Sequence, residues 1–191
     1  MKRFAIVLTI MALAAPLTKA QTSTWTSDPA HSAVEFDVTH LSLSNVHGHF
    51  GKIAATVQFN EGDITQSSVH ATIDVIGVDT GESPRDSVLK SSDFFNVDNF
   101  PTAFFTSTRV VRNGNKLTIT GNLTLRGVTK PVVLDAEGPT GPVAGMDHKP
   151  HSSFSATTSI SRTAFGIASM FPAATISDDA KLTIELEIIK Q

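Results

Sequence analysis

Three histidines lie close together in the first third of the chain, at a spacing typical of metal binding. The stretch from His40 to His49 has the sequence HLSLSNVHGH, and the pair His47 and His49 can offer two nitrogens to one zinc ion, which needs a third or fourth ligand. Apolar Val46 and Phe50 share one face of a predicted strand, so His47 and His49 take the opposite face. His40 follows the alternation of the inward residues Val34, Phe36 and Val38, so it is predicted to point inward. We therefore predict no metal site here.

A second group has the residue types of nucleophilic catalysis. His31 and Ser32 are adjacent and Asp28 is nearby, but neighbours in sequence do not establish the geometry that a catalytic triad needs. The chain has no G-x-S-x-G, no H-E-x-x-H and no glycine-rich phosphate loop. An enzyme remains the rival class, and we predict no catalytic residue.

Three charged residues are candidates for holding a polar ligand group. Arg162 has the inward parity of the strand that precedes it, and an inward arginine needs an anion or an acid. Its partner is either a ligand phosphate or carbonyl, or the carboxylate of an internal salt bridge. Arg85 and Asp86 are candidates for the same role, with the alternative that they are helix-start charges or a mutual pair.

Period-two alternation of apolar and polar residues runs through most of the chain and predicts strands with one buried face. The predicted strands are eight, near 34–38, 46–60, 69–75, 102–112, 117–126, 129–137, 152–162 and 180–188. A change of parity after Phe50 predicts an extra residue near Gly51 and Lys52. A short helix is predicted near 84–91, with Ser83 as its cap. The fold class is therefore all-β, an eight-stranded antiparallel lipocalin-like barrel with one short helix.

The inward faces mix large and small residues. Gly48, Ala71, Gly121 and Ala156 lie beside larger inward side chains, which predicts a lumen wide enough for a ligand. Close packing of a filled core would produce the same alternation, so both remain open. We interpret Gly121 as facing the lumen, because a glycine in mid-strand marks close approach. Five phenylalanines after the helix are predicted to pack it across the barrel as a lid: Phe94, Phe95, Phe100, Phe104 and Phe105.

The first twenty residues have the pattern of a signal peptide. Lys2 and Arg3 precede an apolar run from Phe4 to Ala15, and cleavage is predicted after Ala20. The alternative, a membrane anchor, needs about 20 apolar residues. We therefore expect a periplasmic or secreted protein that begins near Gln21 and is not stably inserted in a membrane.

Charge and cysteine content exclude several classes. Without residues 1–20 the chain keeps 12 of its 15 basic residues against 18 acidic ones, which argues against nucleic acid and against a polybasic membrane patch. It contains no cysteine, so neither disulfides nor thiolate metal sites can form.

Five stretches occur together in a familiar order: DPAHSAVEFDVTHL, VHGHF, SPRDSVLKSSDFFNVDNFPTAFFTST, GNLTLRGVTKPVVL and SRTAFGI. In combination they resemble the YceI-like family of lipocalin-like, polyisoprenoid-binding proteins. The resemblance covers residues 21–191 and implies an exported bacterial protein whose barrel holds a long isoprenoid or similar lipid. The chain departs from the family pattern at Val88, where histidine is usual, and at Ala164, where aspartate is usual.

The resemblance and the inward parity together define a predicted ligand-binding set: Phe36, Val38, His40, Val46, Phe50, Ile73, Arg85, Asp86, Phe94, Phe105, Gly121, Leu123, Phe154, Ile160, Arg162 and Phe165. No cofactor is expected to be required, and a homodimer is left open. The alternative function is an exported protein-interaction module with a packed, ligand-free core.

Overall fold

The computed structural model describes residues 22–191, so the predicted signal peptide and its cleavage site lie outside the described residues. Within this range the chain forms short and long antiparallel strands, one α-helix and two 3₁₀ turns, at Ile64–Gln66 and Thr163–Phe165. The strands are β1 (Thr22–Ser27), β2 (Ala33–His40), β3 (Ser44–His49), β4 (Ile53–Asn60), β5 (Ser68–Asp74), β6 (Thr102–Asn113), β7 (Lys116–Leu125), β8 (Val128–Glu137), β9 (Val143–Ala144), β10 (Pro150–Ser161) and β11 (Asp179–Lys190). The helix α1 is Ser83–Lys90.

The strands close into an eight-stranded antiparallel barrel, as predicted. The ring runs β1-β4-β5-β6-β7-β8-β10-β11, and β11 closes it by pairing with both β10 and β1. The β2–β3 hairpin extends the wall, because β2 pairs with the first half of β11 and β1 pairs with its last residues. We call the end that carries α1 and residues 162–178 the upper end, and the end that carries residues 61–67 and 114–115 the lower end.

The predicted parity change is confirmed as an interruption between two strands. The stretch 46–60 forms β3 and β4 rather than one strand. Between them, the Phe50 amide donates to the carbonyl of Val34 at 3.0 Å and the Gly51 amide donates to that of Asp74 at 2.8 Å. The chain therefore passes from pairing with β2 to pairing with β1 and β5, and its apolar side chains stay inside.

The prediction for the helix and the aromatic residues after it is only partly right. Glu82 is the N-cap, so the predicted cap at Ser83 is wrong. Phe94 and Phe95 are buried below the helix, and Phe95 lies 5.4 Å from Phe50, measured between ring centroids. Phe104 and Phe105 do not belong to this lid, because both lie on β6: Phe104 points outward and is exposed, whereas Phe105 is buried in the barrel interior.

The principal core lies inside the barrel and extends under α1 and the segment that precedes β11. Within residues 22–191, no helix has both the length and the apolar character that crossing a membrane requires.

Candidate functional site

The interior of the barrel holds two apolar cavities, one above the other. The lower cavity has a volume of about 140 Å³ and the upper one about 100 Å³. Four residues line both of them: Val34, Ile73, Leu123 and Leu182. The two cavities therefore lie end to end along the barrel, next to the same four side chains, and we call them together the tunnel.

The walls of this tunnel are made almost entirely of hydrocarbon. The lower cavity is lined by Val, Ile, Leu, Phe and Ala side chains, with hydroxyls only from Ser67, Ser68 and Thr158. The upper cavity has one polar lining residue, Arg162. An apolar cavity of about 150 Å³ stays free of water and binds small hydrocarbons in a protein engineered to contain one. The tunnel can thus accept an apolar chain without displacing bound water.

Small side chains leave this space open. Ala136 and Ala156 are paired residues of the neighbouring strands β8 and β10, and both line the lower cavity. Ala71 lines it from β5. Ala103 and Ala180 widen the upper cavity. The predicted mixture of small and large inward residues therefore encloses real volume, rather than a completely filled core.

Most of the predicted ligand-binding residues line the tunnel. They are Phe36, Val38, Phe50, Phe94, Ile160 and Arg162 in the upper cavity, Phe105 and Phe154 in the lower cavity, and Ile73 and Leu123 in both. They come from five strands, β2, β5, β6, β7 and β10, and from three connections: the one between β3 and β4, the one after α1 and the one after β10. The barrel closure brings them together.

Six of the predicted residues do not line the tunnel, and three of them are His40, Val46 and Phe165. His40 is exposed at the end of β2, so its predicted inward direction is wrong. Val46 is half-buried on the hairpin and Phe165 is buried in the core at the upper end, but neither lines a cavity. His40 is also distant from the other two histidines. His47 pairs with Asp37, and Asp37 lies three positions, or about 10 Å, before His40 along β2.

Gly121 is also not a lumen residue, although it is inward and buried. The ring of Phe105 covers it: a Cβ at position 121 would overlap this ring and lie 2.6 Å from the carbonyl oxygen of Thr106. Glycine is required here for the approach of a protein side chain and not of a ligand. The interpretation of Gly121 as a residue that faces the lumen is therefore wrong.

Arg162 is held by neither of the two predicted partners. Its side chain is buried and donates to five backbone carbonyls, those of Ile167, Ala168, Phe171, Ile176 and Ser177, at 2.6–3.1 Å. A guanidinium has five N–H donors, so none is left for a ligand, and no salt bridge to Arg162 occurs within residues 22–191. These hydrogen bonds hold the segment 163–177 in place at the upper cavity.

Arg85 and Asp86 also have structural partners. Both bind Thr80: Arg85 Nε donates to its hydroxyl at 2.7 Å, and Asp86 accepts from its amide at 2.9 Å. Neither lines a cavity. The positions that depart from the family pattern, Val88 and Ala164, are both exposed, so the two substitutions leave the tunnel wall unchanged.

The sequence-based prediction missed several tunnel residues on β8 and β11. Val132, Leu134 and Ala136 line the lower cavity and alternate with exposed Val133 and Asp135. This alternation was a usable signal, weakened by Lys130 and Pro131. Other missed residues lie in the helix and loop of the upper end, where no strand periodicity exists: Leu89, Ile167, Ala168 and Ile176.

Two ionisable groups outside the tunnel have shifted pKa values, Asp178 near Arg162 and His31 on the outer wall. Hydrogen bonds from the hydroxyls of Ser161 and Thr163 lower the pKa of Asp178. On the outer wall, the hydrogen bond to Asp28 raises the pKa of His31. Ser32 donates its hydroxyl to the carbonyl of Glu187 at 3.2 Å, a backbone partner rather than the imidazole of His31.

Comparison with known proteins identifies the family. The model of the YceI-like domain matches residues 25–188, which includes almost the whole barrel. The chain belongs to the YceI-like family. It is 38% identical over 165 residues to the UPF0312 protein ECA1782 of Pectobacterium atrosepticum, covering 84% of this chain and 82% of that protein. It is 47% identical over 107 residues to protein YceI of Salmonella newport, and this match spans only 56% of the Salmonella protein.

Solved structures of YceI-like proteins have the same architecture. BcnA of Burkholderia cenocepacia superposes with a TM-score of 0.76 at 25% identity, over 84% of this chain and 98% of BcnA. The Campylobacter jejuni YCEI protein superposes with a TM-score of 0.71 at 34% identity, over 80% of this chain and 90% of that one. A domain from Saccharophagus degradans, described as polyisoprenoid-binding, shares the fold with a TM-score of 0.64 at 13% identity, over 90% of this chain and 100% of that domain.

Proposed function

We propose that this YceI-like protein binds one long apolar chain, a polyisoprenoid, prenyl quinone or similar amphiphile, inside its barrel and carries or stores it outside the cytoplasm. The observation that supports this most strongly is the tunnel of two adjoining cavities, with Val34, Ile73, Leu123 and Leu182 in both walls. An extended hydrocarbon chain matches this shape and this chemistry.

The energetics favour occupation of the tunnel. An unfilled cavity costs about 24 cal/mol per Å³, which is roughly 3 kcal/mol for the lower cavity of about 140 Å³. Each CH₂ group moved from water into such a site contributes about 0.8 kcal/mol, and ordering of the flexible chain offsets part of this. Binding is therefore driven by burial of hydrocarbon.

Among residues 22–191, no charged side chain that lines the tunnel is free to bind a ligand head group. All five donors of Arg162 are bound to carbonyls of the protein, and the lower cavity has only the hydroxyls of Ser67, Ser68 and Thr158. We infer that the protein selects its ligand by the apolar chain and accepts different head groups.

The fold comparison supports the same class of ligand. The Saccharophagus degradans domain, which shares the barrel, is described as binding polyisoprenoid. The alternative, an interaction module with a packed, ligand-free core, does not account for the open volume. An enzymatic function is less well supported, because Ser32 donates its hydroxyl to a backbone carbonyl.

The substitution Ala156→Leu tests the proposal inside the lower cavity. Ala156 is buried and lines this cavity, so three added carbons occupy space that the ligand chain would fill. We expect the affinity for a fluorescent prenyl probe to fall at least tenfold, which is about 1.4 kcal/mol. The free energy of unfolding stays the same or rises, because a cavity has been filled.

The matched control is Thr157→Leu, which adds an apolar side chain at the next residue of β10, on the exposed face. This variant is expected to bind the probe as the wild type does. Equal probe binding by wild type and Ala156→Leu would contradict the proposed position of the ligand.

A further inference from the structure

Two histidines and three carboxylates meet on the outer wall of the barrel, away from the tunnel. Asp28 and His31 lie in the turn between β1 and β2. Asp147 lies in the loop before β10, His151 lies at the start of β10, and Glu187 lies on β11. His31 Nδ1 is 2.9 Å from a carboxylate oxygen of Asp28, and His151 Nδ1 is 2.7 Å from one of Glu187. Three separate segments therefore contribute metal-ligating groups to one place.

Backbone contacts fix the turn against β11 at this point. The amide of Asp28 donates to the carbonyl of Glu187 at 2.8 Å, and the amide of Glu187 donates to the hydroxyl of Ser32 at 3.1 Å. Here β11 changes its partner from β2 to β1, which leaves room for the turn. As a result, one ligand atom from each of Asp28, His31 and Glu187 lies within 4.8 Å of the others.

The charges of this cluster call for a cation. Within residues 22–191, the salt bridges of Asp28 and Glu187 are made with histidines and not with lysine or arginine. Imidazole nitrogen together with carboxylate oxygen is a ligand set that zinc and similar divalent transition metals prefer.

The second nitrogen of His151 is oriented as in known metal sites. Its Nε2 lies 2.9 Å from Asp147 Oδ1, while Nδ1 points at Glu187. A carboxylate that holds the far nitrogen of a metal-binding histidine is the usual outer partner of such a ligand. Asp147 would thus orient His151 without binding the metal itself.

We propose that Asp28, His31 and Glu187 form a binding site for zinc or a similar divalent transition metal ion. His151, which is hydrogen-bonded to Glu187, becomes the fourth ligand by moving towards the other two. Tetrahedral zinc with bonds of 2.0–2.1 Å places its ligand atoms roughly 3.3 Å apart, so ligand atoms that now lie within 4.8 Å of one another close in by up to about 1.5 Å on binding. His31 can move, because its side chain is 66% exposed. The ion links the β1–β2 turn to β11 and β10, and this site does not depend on the proposed lipid.

The site is tested by zinc titration of tag-free protein that has been treated with EDTA and then freed of the chelator. We expect the wild type to bind one zinc ion per chain and to melt at a higher temperature when zinc is present. His31→Ala is expected to weaken zinc binding at least about tenfold and to abolish the zinc-dependent rise in melting temperature. Its exposed position keeps the fold intact.

The matched control is the double variant His47→Ala, His49→Ala, which removes two other exposed histidines on β3. This variant is expected to keep the stoichiometric zinc ion. The proposal is overturned if the wild type binds no zinc at millimolar concentration, if His31→Ala binds zinc as tightly as the wild type, or if only the double variant loses the ion.

Discussion

At the residue level, position 121 shows how a missing side chain serves packing rather than ligand binding. A Cβ there would overlap the ring of Phe105 and approach the carbonyl of Thr106. We predict that Gly121→Ala lowers the free energy of unfolding by roughly 1–3 kcal/mol, the usual cost of overpacking a core, as measured by chemical denaturation. Gly62→Ala is the control, because the nearest atom to its Cβ is 3.5 Å away, and it should be neutral or slightly stabilising. A neutral Gly121→Ala would show that the Phe105 ring does not occupy this position.

Arg162 provides a second residue-level prediction. Lysine has three N–H donors on one nitrogen and cannot reach the five carbonyls that the guanidinium holds. Since each buried group left without a partner costs about 1–3 kcal/mol, Arg162→Lys should lower the free energy of unfolding by about 3 kcal/mol or more. The folded fraction should still bind a prenyl probe. A variant of wild-type stability that no longer binds anionic prenyl probes would instead indicate a head-group role.

At the level of elements, the loop over the upper cavity should respond to acid through Asp178. Its carboxylate accepts from the Thr163 hydroxyl at 2.6 Å and the Thr163 amide at 3.1 Å, and hydrogen bonds from the Ser161 and Thr163 hydroxyls lower its pKa below the usual 3.8. A carboxyl group with a lowered pKa stabilises the folded state above its unfolded pKa, and this contribution disappears as the pH falls through the folded pKa. The loss should therefore begin below about pH 4.

The variant Asp178→Asn tests this loop directly. Asparagine does not titrate, so the fall in stability between about pH 4 and pH 2 should be shallower than in the wild type, as measured by denaturant unfolding at each pH. Asp98→Asn is the control, because Asp98 is exposed and accepts no side-chain hydrogen bond within the described residues. An unchanged pH profile in Asp178→Asn would show that this carboxylate does not contribute to acid stability.

The elements differ in how far the sequence predicts them. Alternation locates β5, β7, β10 and β11 because each has one face in the barrel interior. It misses β1, since Trp25 is the only buried side chain in that strand. It also cannot predict the five carbonyls that bind Arg162, because they depend on how residues 163–177 fold. Nor can it predict the cluster around Glu187, since Asp28 and His31 lie more than 150 positions before Glu187 in the chain. Periodicity reports which face is buried, whereas the Arg162 site depends on the path of an irregular loop and the cluster around Glu187 depends on contacts between distant segments.

At the level of the whole molecule, export is the prediction that the described residues leave open. The positive and apolar pattern of residues 1–20 predicts cleavage after Ala20 and a protein outside the cytoplasm. N-terminal sequencing of the periplasmic or secreted fraction should therefore give a chain that begins at or near Gln21. An intact Met1 in the membrane fraction would contradict this.

The central proposal, that the tunnel holds one apolar chain, is tested most directly by native mass spectrometry of the protein purified from its own host, followed by extraction and identification of any bound lipid. The tunnel of adjoining apolar cavities predicts one long-chain lipid per protein chain. It also predicts that the delipidated protein takes up a prenyl lipid at the same stoichiometry. A folded, stable protein that carries no lipid and takes up none when it is offered would contradict the proposal.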